Sequence, residues 1–107
     1  MASLILTKGE KLIITRRRAG KNQTEAAKDF GVHRDTYAQW EKDITNTAPD
    51  VSLTEPLKAF EACYLLRRRS NKTQKQLADA LHLSRMTVNS MELGKVNYSQ
   101  LSTFWGV

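Results

Sequence analysis

Thr73-Gln74-Lys75-Gln76-Leu77-Ala78-Asp79-Ala80-Leu81-His82-Leu83-Ser84-Arg85-Met86-Thr87-Val88-Asn89-Ser90-Met91-Glu92-Leu93-Gly94-Lys95 spells two short helices joined by a tight turn. Thr73-x-x-Gln76 is a capping box: the threonine hydroxyl can accept from an orphan helix amide while Gln76 reaches back to the cap. Ser84 is positioned to cap the second helix, and Gly94 follows it as a stop.

The same grammar occurs earlier in the chain. Sliding the sequence by 51 positions aligns Arg16-Arg17-Arg18 with Arg67-Arg68-Arg69 and continues without a gap from there to Glu41 and Glu92. Lys21/Lys72, Gln23/Gln74, Ala27/Ala78, Arg34/Arg85, Thr36/Thr87 and Glu41/Glu92 are identical, and Ala26/Leu77, Phe30/Leu81, Val32/Leu83, Tyr37/Val88 and Trp40/Met91 keep the apolar register. A chance match of three arginines would not carry that register with it. A self-similar period of this length marks a repeated structural unit.

Each repeat reads as three helices, so the fold class is all-α. Thr7-x-x-Glu10 opens helix 1 near residues 8–19, and Gly20 ends it. Asn22-x-x-Glu25 opens a second helix that ends near Phe30, with Gly31 at the turn and a third helix from about Arg34 to Lys42. Between the repeats, Asn46 to Asp50 reads as a loop. Ser52-x-x-Glu55 followed by Pro56 reads as a new helix over about 56–69, shared by both repeats as a stiff rod of roughly 20 Å at 1.5 Å per residue. The expected units are residues 1–53 and 54–107.

Composition narrows the function. The chain of 107 residues carries 17 Lys and Arg against 11 Asp and Glu, a formal charge of +6. Such a balance attracts polyanions, nucleic acid first and anionic membrane second. Residues 1–53 hold nine basic and seven acidic groups, and residues 54–107 hold eight and four. The single cysteine, Cys63, permits no internal disulfide and suits a reducing cytoplasm. It falls within the 56–69 helix beside apolar residues, where core packing is expected. His33 and His82 stand on separate repeats without metal-ligand spacing, and no Gly-rich phosphate loop is present. Neither an enzyme nor a cofactor is expected. No apolar run reaches the length of a membrane span, and Leu4-Ile5-Leu6 is too short for a signal segment, so the mature protein is expected to be the whole chain.

The quoted stretch resembles the Cro/CI-type (XRE-like) helix-turn-helix regulators through Thr73-Gln74, Leu77-Ala78, Leu83-Ser84, Val88, Glu92 and Gly94. Residues Gln23, Ala27, Phe30-Gly31-Val32, Thr36, Tyr37 and Trp40-Glu41 carry the same resemblance in repeat 1. It implies a sequence-specific binder of double-stranded DNA, a repressor of bacterial or phage type, whose third helix enters the major groove. Small residues, Ala27 and Ala78, let helix 3 cross helix 2. The resemblance assigns base reading to Arg34, Asp35 and Gln39 in repeat 1 and to Arg85, Met86 and Ser90 in repeat 2, with Asn89 beside them. Arginine pairs bidentately with guanine and Asn or Gln with adenine; Asp accepts from cytosine, and Met86 can meet a thymine methyl. Gln23 and Gln74 are assigned to backbone phosphate at the start of helix 2, with Lys21, Lys72, Lys75 and Lys95 as neighbours. Arg16 with Glu41, and Arg67 with Glu92, are implied to be structural ion pairs. Arg17, Arg18, Arg68 and Arg69 are left to phosphate or solvent.

Several positions depart from that pattern. Ala26 replaces Leu and predicts a thinner core in repeat 1. His33 stands at a serine cap, Asp43 at a glycine and His82 at the turn glycine. Repeat 1 is thereby the weaker candidate for base reading and the better one for a protein partner. Leu101, Phe104 and Trp105 are expected to pack on repeat 2, with a homodimer patch as the alternative. An antitoxin-like or inhibitor-like interaction module and a non-specific nucleic-acid packaging protein are the rival functions.

Overall fold

The computed structural model describes residues 4–107. Among them the fold is all-α: α1 Lys8–Arg18, α2 Gln23–Phe30, α3 Arg34–Glu41, α4 Ala59–Arg69, α5 Gln74–Leu81, α6 Arg85–Glu92 and α7 Ser99–Trp105. Helices α1 to α3 map onto α4 to α6 at the sequence offset of 51, end for end. The chain forms two compact units, Ile5–Pro56 and Leu57–Val107. No helix among the described residues is long and apolar enough to cross a membrane.

The expected caps form. Glu10 N donates to Thr7 Oγ1 (3.1 Å), Glu25 N to Asn22 Oδ1 (2.8 Å), Gln76 N to Thr73 Oγ1 (3.1 Å) and Thr87 N to Ser84 Oγ (3.1 Å). His33 does the work of the missing serine: its Nδ1 accepts from Asp35 N at 3.1 Å.

The expected helix over 56–69 is shorter than its sequence suggested. It starts at Ala59, and its cap is Lys58, whose backbone N–H donates to Glu61 Oε1 (2.9 Å). Ser52, Glu55 and Pro56 lie outside any helix. Continuing the helix back to Pro56 would require that residue's carbonyl to accept from a backbone amide one turn on. Instead the Arg18 guanidinium donates to the carbonyls of Glu55 (3.1 Å) and Pro56 (3.0 Å). Arg18, expected at phosphate or solvent, therefore ties down the end of the first unit, and α4 belongs to the second.

The two cores solve the same packing problem with exchanged sizes. In the first unit Leu12, Ala26, Ala27, Tyr37, Trp40 and Ala48 are buried together. In the second the cluster is Cys63, Leu77, Ala78, Val88, Met91 and Leu101. Where Leu77 meets the small Val88, Ala26 meets the large Tyr37. The thinner core expected from Ala26 is largely filled by aromatics, since Phe30, Tyr37 and Trp40 stand with ring centroids 5.8 to 6.1 Å apart. A half-open cleft of about 150 Å³ lies beside Leu12, Ala26, Phe30 and Tyr37, with Thr15, Ala19 and Asp29 also on its walls. In the second unit α7 closes the core, with Leu101 fully buried and Trp105 packed against the cluster. Of the three residues considered for a dimer patch, Leu101 is buried, Trp105 half-buried and Phe104 41% exposed.

Candidate nucleic-acid interface

The inner faces of α3 and α6 are fixed by Tyr37, Trp40 and Glu41 and by Val88, Met91 and Glu92, all buried. The opposite faces are left to solvent. Arg34, Asp35 and Gln39 are exposed on α3, and Arg85, Met86 and Asn89 on α6. Met86 is 78% exposed, an unusual position for a large apolar side chain with no core to fill. Ser90 is half-buried.

Beneath each helix pair lies the same polar lattice. Arg16 Nε donates to Glu41 Oε2 at 2.7 Å and Arg16 Nη2 to Oε1 at 3.2 Å. Arg67 repeats this on Glu92 at 2.7 and 3.1 Å. The third guanidinium nitrogen, Nη1, donates to a backbone carbonyl, that of Lys21 (3.1 Å) or Lys72 (2.9 Å). A fork of this kind compensates the desolvation of a buried carboxylate. The pairs join the last turn of α1 or α4 to the last turn of α3 or α6.

The helix-2 glutamines complete the lattice. Gln23 Nε2 donates to Glu41 Oε1 and Gln74 Nε2 to Glu92 Oε1, both at 3.0 Å. These carboxamides are turned toward the glutamates. Both N–H donors of the Gln74 carboxamide are spent, on Glu92 and on Asn89, so the Gln74 donor left for a phosphate is its backbone amide at the helix N-terminus, whereas Gln23 spends one on Glu41 and keeps a second beside its backbone amide. Among the lysines, Lys21 pairs with Asp29, and Lys75 pairs with Asp79 at 3.2 Å. Lys72 Nζ stands 5.9 Å from the Phe104 ring centre, and Lys95 is exposed.

Two buried groups with chemical potential are quiet. Burial, and then the Glu41 carboxylate, raise the Tyr37 phenol well above its usual range; its hydroxyl donates to the Leu12 carbonyl at 3.4 Å. Burial pushes the Cys63 thiol up to about 11, so the reactive thiolate is scarce near neutrality. No group of three or more potential metal-ligating side chains occurs among the described residues.

A Helix-turn-helix family model matches the chain twice, over residues 12–53 and 64–101, which together cover most of its length. The chain belongs to this family, the Cro/CI-type helix-turn-helix proteins, and carries two such units in tandem. The family is one of DNA-binding regulators. No curated protein and no solved structure matches the chain.

Proposed function

We propose that this protein is a sequence-specific double-stranded-DNA-binding transcriptional regulator, a cytoplasmic repressor of bacterial or phage type. Its two repeats act as two reading heads, with α3 and α6 in the major groove. Arg34, Asp35 and Gln39 read bases from the first head, and Arg85, Met86, Asn89 and Ser90 from the second. Lys21, Lys72, Lys75 and Lys95, with the backbone amides of Gln23 and Gln74, serve phosphates. Repression follows from occupancy, because a bound head excludes other proteins from the same groove.

The observation that carries this reading is α6. Arg85, Met86 and Asn89 stand exposed while Val88 and Met91 on the other face are locked in the core. Selection of binding sites from random duplex DNA tests it. Enrichment of one site spanning about two helical turns is expected. Arg85→Ala should weaken binding to that site by about 1–3 kcal/mol and relax one base position. Unchanged affinity and specificity in Arg85→Ala would remove that residue from the groove.

A second reading applies to the first head alone. Its helices α2 and α3 expose Glu25, Asp29 and Asp35 as well as Lys28 and Arg34, and Phe30 is 40% exposed. Acid repels phosphate, and an apolar ring amid charges suits a basic protein partner. A selected half-site, read by α6 only, would favour that role for the first head.

A further inference from the structure

Helix α3 is capped by a group that titrates. His33 Nδ1 accepts from Asp35 N at 3.1 Å, and to accept there the ring must be neutral with its proton on Nε2. The charged groups at the ring are Asp35, whose Oδ2 lies 3.7 Å from the same Nδ1, and the adjoining Arg34. Solvent faces the rest, since the His33 and Asp35 side chains are 75% and 77% exposed. One nitrogen thus stands between two groups of one residue, an amide that only donates and a carboxylate that only accepts. Neutral imidazole selects the amide. Imidazolium, with a proton on Nδ1, must release the amide and turn to the carboxylate, which has about 1 Å to close. The second unit lacks both parts. Ser84 caps α6 through a hydroxyl, accepting from Thr87 N at 3.1 Å, and Met86 stands at the position of Asp35.

We propose that His33 is a proton-operated positioning residue: in acid it exchanges the Asp35 amide for the Asp35 carboxylate, so that the first head trades cytosine discrimination for attraction to the DNA backbone. This rests on the proposed function, in which Asp35 reads bases. Three effects of one proton act together. The carboxylate is drawn toward the helix cap, away from the place in which it accepts from cytosine N4, and a shift of about 1 Å is enough to lose a hydrogen bond. The amide cap is given up, which loosens the first turn of α3, where Arg34 and Asp35 stand. The new positive charge offsets that of Asp35, which otherwise repels phosphate. The second head, with a hydroxyl cap and no acid, has no such proton to sense.

The test compares the full chain as wild type and as His33→Ser at pH 8 and pH 5.5, a range across which an imidazole takes up its proton. His33→Ser gives the first unit the cap that the second already uses, so the fold is kept. In NMR titrations of the free protein, the Asp35 amide and carboxylate-carbon resonances should move in step with the His33 ring signals, and should hold still over the same steps in His33→Ser. Site selection from random duplexes at both pH values reads the consequence. The base column that loses its preference in Asp35→Ala is the one Asp35 reads. Wild type should favour cytosine there at pH 8 and lose that preference about fivefold at pH 5.5, while its affinity for an unrelated duplex rises. His33→Ser should keep the preference at both pH values. Asp35 resonances that ignore the His33 ring, a cytosine preference unchanged by pH in wild type, or an equal loss in His33→Ser would each overturn the inference, the last by placing the titration on Asp35 itself. Absence of any column sensitive to Asp35→Ala would instead overturn base reading by Asp35, and this inference with it.

Discussion

Single positions show how two units of one pattern diverge by exchange. Gly9 and Asp43 of the first unit correspond, at the offset of 51, to Phe60 and Gly94 of the second. A Cβ on Gly9 would lie 2.5 Å from the Trp40 carbonyl oxygen, so the start of α1 approaches the end of α3 only because the side chain is missing. Asp43 uses that closeness: it holds φ at 58° and accepts from Gly9 N at 2.9 Å and Thr7 Oγ1 at 2.6 Å. In the second unit the large residue has moved to the other side. The Phe60 ring covers Gly94, where φ is 72° and a Cβ would meet the ring at 2.7 Å. Gly94→Ala therefore meets both left-handed strain and overpacking, and should cost about 2–4 kcal/mol by denaturant unfolding. Gly94→Ala combined with Phe60→Ala should lose the overpacking part, so the two changes should be non-additive. Additive costs would mean the ring does not restrain position 94. His82, with φ at 57°, is the opposite case, a side chain where glycine suits the turn. It is exposed, so His82→Gly should stabilise by about 0.5–1 kcal/mol, the strain relieved less the extra backbone entropy of glycine.

Elements are joined by the buried ion pairs, and these set the cost of disturbing a reading helix. The Arg67 and Glu92 side chains are only 13% and 0% exposed, and their contact ties α4 to α6 while Gln74 adds α5. Arg67→Met should strand the carboxylate and cost about 3–5 kcal/mol in thermal or denaturant unfolding. Arg67→Met with Glu92→Leu should recover most of that loss, since apolar replacement of a whole buried pair is often neutral. A double variant no more stable than the single would show that Gln74, deprived of Glu92, carries a cost of its own. The capping boxes and the three-helix order were legible because each depends on residues at short or repeated spacing, whereas these pairs, 25 residues apart, were implied by the family resemblance. The true start of α4 was not: Ser52, Glu55 and Pro56 form a good local signal, overridden by Arg18, which lies far away in sequence. Helix α7 was missed, although Leu101, Phe104 and Trp105 have helical spacing and Asn97 Oδ1 accepts from Ser99 N at 2.9 Å. The exposed faces of α3 and α6 followed from the apolar register. The turn of Gln23 and Gln74 onto the glutamates did not, because helix spacing alone does not say which way an amide points.

Charge is distributed unequally over the whole molecule, and its measurable consequence is the salt dependence of DNA binding. With the units as folded, residues 5–56 carry nine basic and eight acidic groups, and residues 57–107 carry eight and three. The difference of one against five positive charges puts most of the attraction for a phosphate backbone in the second unit. Lys21 and Lys72 are the matched pair that tests this, because they occupy the same position in the two repeats. Lys21 is paired with Asp29, whereas Lys72 has an aromatic ring, that of Phe104, nearby. A phosphate contact contributes about 0.9 to the slope of log K against log salt. Lys72→Gln should therefore flatten the slope by about that amount, with similar losses on specific and unrelated sequences. Lys21→Gln should change it much less, since Asp29 already offsets the charge. Equal losses from the two variants would mean that the heads grip the backbone alike, and the asymmetry would then lie in base reading alone. A slope indifferent to both would place the phosphate contacts on other cations, Lys75 and Lys95 first.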